Sequence, residues 1–192
     1  MTRIYILLFV MMIAVSVQAQ DRNRAAPDFA VLQYAGSIGY FSAGAGYDIF
    51  KSRWRVSAHY GSVPAVQGGP LRIITGKLFF EPVAVNVSER VVFNPADIGI
   101  MVSYHTGDNF KLSVPDYLKS GNYYWWHTSM RIHLAMETSL TAKFSRGRTF
   151  KSISGYFELN TNDLYAVSYI QNTSSLRLID LIKVGTGLRI SF

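Results

Sequence analysis

The final twelve residues constrain the chain more than any other stretch. From Leu181 to Phe192, the residues Ile182, Val184, Thr186, Leu188, Ile190 and Phe192 alternate with Leu181, Lys183, Gly185, Gly187, Arg189 and Ser191. A period of two is the mark of a strand, because successive side chains leave a pleated backbone on opposite faces. One face suits hydrocarbon, and the other carries two cations. The same alternation recurs upstream. Trp54, Val56, Ala58 and Tyr60 oppose Arg55, Ser57, His59 and Gly61, and Ile98, Ile100, Val102 and Tyr104 oppose Gly99, Met101, Ser103 and His105. Ile74, Leu78 and Phe80 oppose Thr75, Lys77 and Glu81. In the longest run, Trp126, Met130, Ile132, Leu134, Met136 and Leu140 oppose Trp125, His127, Ser129, Arg131, His133, Glu137 and Ser139. A helix over that run would scatter its charges around every side. Residues 153 to 170 place Ile153, Phe157, Leu159, Tyr165, Val167 and Tyr169 on one face, and Ser154, Tyr156, Glu158, Asn160 and Ser168 on the other. Near the start, Phe41, Ala43, Ala45, Tyr47 and Ile49 alternate with Tyr40, Ser42, Gly44, Gly46 and Asp48, whose glycines leave room in a narrow interior.

Such strands could line a soluble sheet, and here composition decides. The chain is 49% hydrophobic and 16% charged, whereas a soluble domain carries about a quarter charged residues. No apolar stretch after residue 20 reaches the roughly 20 residues of a membrane helix. Low charge without such a helix is what barrel strands produce when every second residue faces lipid. At the start, Arg3 precedes an uncharged run from Ile4 to Val15 and the small-residue stretch Val17-Gln18-Ala19. This pattern predicts a cleavable signal peptide over residues 1–19, a flexible leader over 20–28 and one barrel domain over 29–192. The chain has no cysteine, so neither disulfides nor a lipid-modified N-terminal cysteine is expected. Loss of Arg3 with the signal lowers the net charge of +7 by one. A basic balance suits an anionic partner. For an exported chain that partner is lipopolysaccharide phosphate rather than nucleic acid, with a merely solvated basic surface as the alternative.

The alternation predicts an all-β, eight-stranded antiparallel up-and-down transmembrane barrel, with strands at 29–36, 38–50, 53–62, 71–83, 97–105, 123–144, 152–171 and 180–192. An even count puts both termini in the periplasm. Lys51-Ser52, residues 84–96 and the Arg146-Gly147-Arg148 region then form periplasmic turns, and 63–70, 106–122 and 172–179 form outer loops. A rival division joins 31–50 into one strand and breaks 152–171 at Asn160-Thr161-Asn162-Asp163, but it puts the long 106–122 loop in the periplasm. Tyr123, Tyr124, Trp125 and Trp126 would form an aromatic girdle at the membrane interface.

Together, the signal pattern, the eight alternating segments and the terminal Phe192 resemble the small outer-membrane barrels typified by the OmpA transmembrane domain and OmpX. Phe192 is similar to the C-terminal signal read by the barrel-assembly machinery. The resemblance covers Phe29 to Phe192 as architecture and implies a monomer with a structural, adhesive or loop-mediated binding role, no catalytic site and no cofactor. The four histidines His59, His105, His127 and His133 share the inward parity with Arg55, Lys77, Glu81, Arg131, Glu137, Glu158, Lys183 and Arg189. An eight-stranded barrel is just wide enough for side chains to fill it, so these residues predict a paired lumenal network. A filled lumen also denies solutes a continuous water path.

A second reading is hydrolysis. His127-Thr128-Ser129 resembles the histidine-x-serine motif of outer-membrane lipid A deacylases, which are eight-stranded barrels using histidine, serine and glutamate. The candidate catalytic residues are therefore His127 and Ser129, with Glu137 or Glu158 as the acid. On a continuous strand, however, Glu137 lies ten residues beyond His127, roughly 33 Å. A base and its orienting group must be within about 3 Å, so only a turn or the neighbouring strand's Glu158 could complete the set. Met130 also stands where that family commonly has asparagine. His127 and His133 share a face about 20 Å apart, too far to bind one metal ion, so no metal site is expected.

Overall fold

The computed structural model describes residues 26–67, 70–106, 129–144, 150–171 and 177–192. The expected signal peptide, the Tyr123 to Trp126 girdle, His127 and the Arg146 to Arg148 turn lie outside these residues. Among the described residues there are nine strands: β1 (Phe29–Ala35), β2 (Phe41–Ile49), β3 (Trp54–Val63), β4 (Leu71–Phe80), β5 (Val85–Asn86), β6 (Val91–Thr106), β7 (Met130–Lys143), β8 (Ser152–Asn162) and β9 (Lys183–Ser191). All but the two-residue β5 form an antiparallel wall in chain order, closed by pairing of β1 with β9 and of β4 with β6. The fold is a closed eight-stranded barrel.

The register shows how the wall closes. From Leu140 the paired neighbours run through Gly155, Leu188, Leu32, Ala43, Tyr60, Ile74 and Tyr104, and return to β7 at Met130. The circuit comes back to its starting strand ten residues lower in number. That stagger accompanies strands tilted by about 35–45° from the axis. Each member of the circuit is apolar, aromatic or glycine, and none is charged.

Inside and outside follow the alternation. Leu134 is 61% exposed and Leu188 52%, while their chain neighbours His133 and Arg189 are 1% and 7% exposed. The interior holds charged and polar residues, with Phe29, Val31 and Tyr156 packed in one apolar cluster and Ile38, Phe79, Met101 and Ala135 in another.

Four departures from the sequence expectation have physical causes. The first concerns residues 38 to 40, which belong to the β1–β2 turn rather than to a strand. Ala35, Gly36 and Gly39 adopt positive φ of 60°, 82° and 129°, and the turn folds inward so that Ile38 is fully buried. Glycine at 61 makes this approach feasible, because a Cβ there would meet the Ile38 carbonyl oxygen at 1.7 Å.

The second is in the expected 84–96 turn. Its second half begins β6, whose register slips between Asn94 and Asp97. Pro95 lies in this bulge, a place in a sheet where the missing N–H is tolerated. The Pro95 carbonyl accepts the Thr138 hydroxyl at 2.8 Å.

The third is at the end of β8. Residues Asp163–Gln171 form helix α1 rather than a continued strand, so Tyr165, Val167, Ser168 and Tyr169 are not wall residues. Pairing to β7 ends at Asn162 and pairing to β9 at Asn160. A backbone without a ladder neighbour satisfies itself helically, and Asn162 Oδ1 caps the turn by accepting Tyr165 N–H at 2.9 Å. The fourth is the last strand, which starts at Lys183 after a 3-10 turn over Leu178–Leu181.

Candidate functional site

The lumen gathers the sequence's candidate residues into two ion-pair clusters. In the first, β3 supplies Arg55, β6 Asp97, β7 Glu137 and β9 Arg189. Arg55 Nη1 donates to Asp97 Oδ2 at 2.7 Å and Nη2 to Glu137 Oε1 at 2.8 Å. Arg189 Nη2 donates to the same Glu137 oxygen at 2.8 Å. Glu81 Oε2 stands 3.9 Å from Arg55 on the margin. β6 and β7 are neighbours and set Asp97 beside Glu137 in register, but each of these ion pairs joins strands that share no ladder, so the contacts cross the lumen.

The guanidinium planes also meet rings. Arg55 lies 5.6 Å from the Phe79 centroid, and Arg189 lies 5.9 Å from Phe29 and 5.5 Å from Tyr156. Inward aromatic residues thus interact with the cations as well as filling space.

The second cluster centres on Gln33 of β1. Its carbonyl oxygen accepts from Lys77 Nζ at 2.8 Å and from the Tyr156 hydroxyl at 2.9 Å. Its amide nitrogen donates to Glu158 Oε1 at 3.2 Å and to the Ala35 carbonyl at 3.4 Å. All four hydrogen-bonding positions of the amide are thereby used. Lys77 closes the cluster by pairing with Glu158, and Asn160 Nδ2 donates to Glu158 Oε1 at 3.1 Å. Glu158 is fully buried, and a carboxylate there is tolerable only because a cation and two amides surround it.

Between the clusters the space left for water is about 10 Å³, lined by Arg55, Ser57, His59, Lys77, Glu137 and Arg189 among others. That volume holds about one water, so side chains plug the described lumen at this level.

The three described histidines do not converge. His59 Nε2 pairs with the Ser57 hydroxyl at 2.9 Å, His133 Nε2 with the Ser103 hydroxyl at 2.7 Å, and His105 Nδ1 donates to the Ser129 carbonyl at 3.3 Å. No group of three metal-ligating side chains occurs among the described residues. Lys183 leaves the network to lie 5.0 Å over the Tyr165 ring, and Arg131 donates to the Met130 carbonyl at 2.8 Å.

The hydrolytic candidates are dispersed. Ser129 is fully buried, and Glu137 lies eight residues further along, about 26 Å on an extended chain. Glu158 offers no shorter route, since it faces Glu137 directly across the β7–β8 ladder. Ser103 and His133 do form a hydroxyl–imidazole pair, but both are buried and His133 Nδ1 has no hydrogen-bond partner among the described residues. A triad requires an acid orienting that nitrogen.

Three members of the network, Asp97, Gln33 and Ser103, carry no charge pattern or motif that marks them as partners. Asp97 has the parity of Gly99 and Met101, and that signal alone could have placed it inside. No known protein family, curated protein or solved structure matches the chain.

Proposed function

We propose that the chain is a non-enzymatic integral protein of the bacterial outer membrane, with a structural, adhesive or loop-mediated binding role at the cell surface. The observation that carries this reading is the uncharged circuit around the wall, from Leu140 through Leu188 and Ile74 to Met130, set against paired ions within. In water that exterior would be an apolar surface far larger than soluble monomers display. In a bilayer it is the only surface hydrocarbon accepts, and closure leaves no strand edge unpaired in lipid.

Aromatic rings at both ends of the wall support the same placement. Tyr34, Tyr40 and Phe41 pack with centroids 5.0 to 5.2 Å apart near one rim. Trp54 with Phe80 at 4.8 Å, and Phe150 with Phe192 at 5.8 Å, lie near the other. Rings of this kind collect at membrane interfaces. On this reading the termini face the periplasm, the partners are outer-membrane lipid, lipopolysaccharide and the assembly machinery, and the barrel is monomeric with a structural plug in its lumen.

The test is electrophoresis of the detergent-solubilised protein with and without boiling, beside density-gradient fractionation of expressing cells. The proposal expects a heat-dependent change in mobility and outer-membrane sedimentation. One unchanged band and a soluble protein would overturn it. Lipid A from cells with and without the protein should show the same acylation by mass spectrometry, and a lost acyl chain would restore the hydrolytic alternative.

A further inference from the structure

At the end of the barrel where β1 begins and β9 ends, the strand connections display a ring of cations. Lys51, Arg53, Arg90, Lys143 and Lys151 are all exposed there, and the ion pairs among the described residues involve none of them. Of the acids described at that end, Glu89 is exposed and Asp28 and Asp48 are partly buried. Four of the five cations are chain neighbours of an aromatic ring, in the pairs Phe50–Lys51, Arg53–Trp54, Lys143–Phe144 and Phe150–Lys151. Phe50 is 75% exposed and Phe150 47%.

The backbone fixes these positions. The Arg53 carbonyl accepts Glu81 N–H at 2.8 Å, the Arg90 carbonyl Lys143 N–H at 2.7 Å, and the Lys151 carbonyl Phe144 N–H at 2.8 Å. Lys151 N–H in turn donates to Ser191 at 2.8 Å, and Phe192 N–H to Asp28 at 2.9 Å. The cations therefore stand on a hydrogen-bonded belt around the rim.

Resting on the membrane reading above, we propose that this collar binds the phosphate head groups of anionic phospholipid in the leaflet nearest the termini. Each exposed ring enters the interface just below the head groups, where amphipathic and aromatic side chains settle. Its neighbouring cation extends an aliphatic stem past the ring and places its charge at the phosphate. A soluble anionic partner would need the cations but not the rings. The recurrence of a ring next to a cation in the chain, exposed at Phe50, Phe144 and Phe150 and half-buried at Trp54, fits a ligand that joins phosphate to hydrocarbon. Basic residues at a membrane surface act in concert on anionic lipid, and salt screens them.

Native mass spectrometry of the full chain in neutral detergent tests this, with dioleoylphosphatidylglycerol and dioleoylphosphatidylcholine as probes of equal acyl content. The wild type should retain the anionic lipid at least about tenfold over the zwitterionic one, given the strength of several surface cations together. The variant Lys51→Asn/Arg53→Gln/Lys143→Gln/Lys151→Gln should bring that ratio close to one. Asparagine is chosen at 51 because φ there is 60°, and asparagine tolerates the left-handed region. Arg72→Gln, at the opposite rim, should leave the ratio unchanged.

A wild-type ratio of one, or a quadruple variant that keeps the preference, would overturn the proposal. So would retention of soluble glycerophosphoglycerol as strong as that of the lipid, since the collar would then be a plain anion site. Heat-dependent mobility, read on the same samples, separates the two claims: a normal shift with a ratio of one sinks the collar alone, and an absent shift sinks the membrane reading.

Discussion

Arg55 and Glu137 meet across the barrel at 2.8 Å, and the oxygen of Glu137 that receives Arg55 also receives Arg189 at 2.8 Å. One carboxylate thus holds two guanidinium groups from strands that share no ladder. Glu137→Gln keeps an acceptor but removes the charge, leaving Arg55 with Asp97 at 2.7 Å and Glu81 at 3.9 Å, and taking from Arg189 the carboxylate it pairs with. Breaking a buried pair by deleting one partner costs about 3–5 kcal/mol. Urea unfolding of the protein refolded into vesicles should show a loss of that order. Arg55→Met also strands Asp97 and should cost more than Arg189→Met, and the two single losses should sum to less than the loss of the double variant, because either cation alone still serves Glu137. Strict additivity would mean the two do not share it.

The Gln33 cluster predicts a graded response. Tyr156→Phe removes one donor from an amide oxygen that keeps Lys77 at 2.8 Å. The expected loss is about 1 kcal/mol, the worth of one neutral hydrogen bond. Lys77→Met instead strands Glu158 without a cation, and about 3–5 kcal/mol is expected. Equal losses in the same unfolding assay would contradict the arrangement.

Two glycines on adjacent strands give opposite predictions. A Cβ at 61 would sit 1.7 Å from the Ile38 carbonyl oxygen, whereas one at 76 would meet nothing within 4 Å. Gly61→Ala must therefore drive the inward turn out of the lumen and free Ile38 from its seat. Limited proteolysis should then cut between Gly36 and Tyr40, and unfolding should be easier by about 2–5 kcal/mol, as for loss of a buried aliphatic side chain. Gly76→Ala should stay within about 0.5 kcal/mol of the wild type.

Sequence reaches most of the wall and little of the pairing. Alternation places Leu134 outside and His133 inside because a closed sheet in this composition leaves the two faces different solvents. It assigns a face but no partner. Nothing in the spacing tells Glu158 to meet Lys77 rather than Arg55, since that choice depends on chords across the lumen. The start of β6 is hidden because the slip at Asn94 and Asp97 breaks the parity, and Pro95 imitates a loop signal. Helix α1 is hidden for the opposite reason: Tyr165, Val167 and Tyr169 continue an alternation that the missing ladder neighbours make irrelevant. The burial of Ile38 rests on a positive-φ turn and on the bare backbone at Gly61, two features that lie 22 residues apart along the chain.

The direction the wall faces can be measured at single positions, because the chain has no native cysteine to compete for a label. A fluorophore on Leu134→Cys, Leu188→Cys or, as a rim control, Glu89→Cys can be placed in vesicles containing brominated acyl chains or in buffer containing iodide. The account predicts strong quenching by bromine and little by iodide at 134 and 188, with the reverse at 89. Iodide quenching at 134 and 188 with no response to brominated lipid would contradict it.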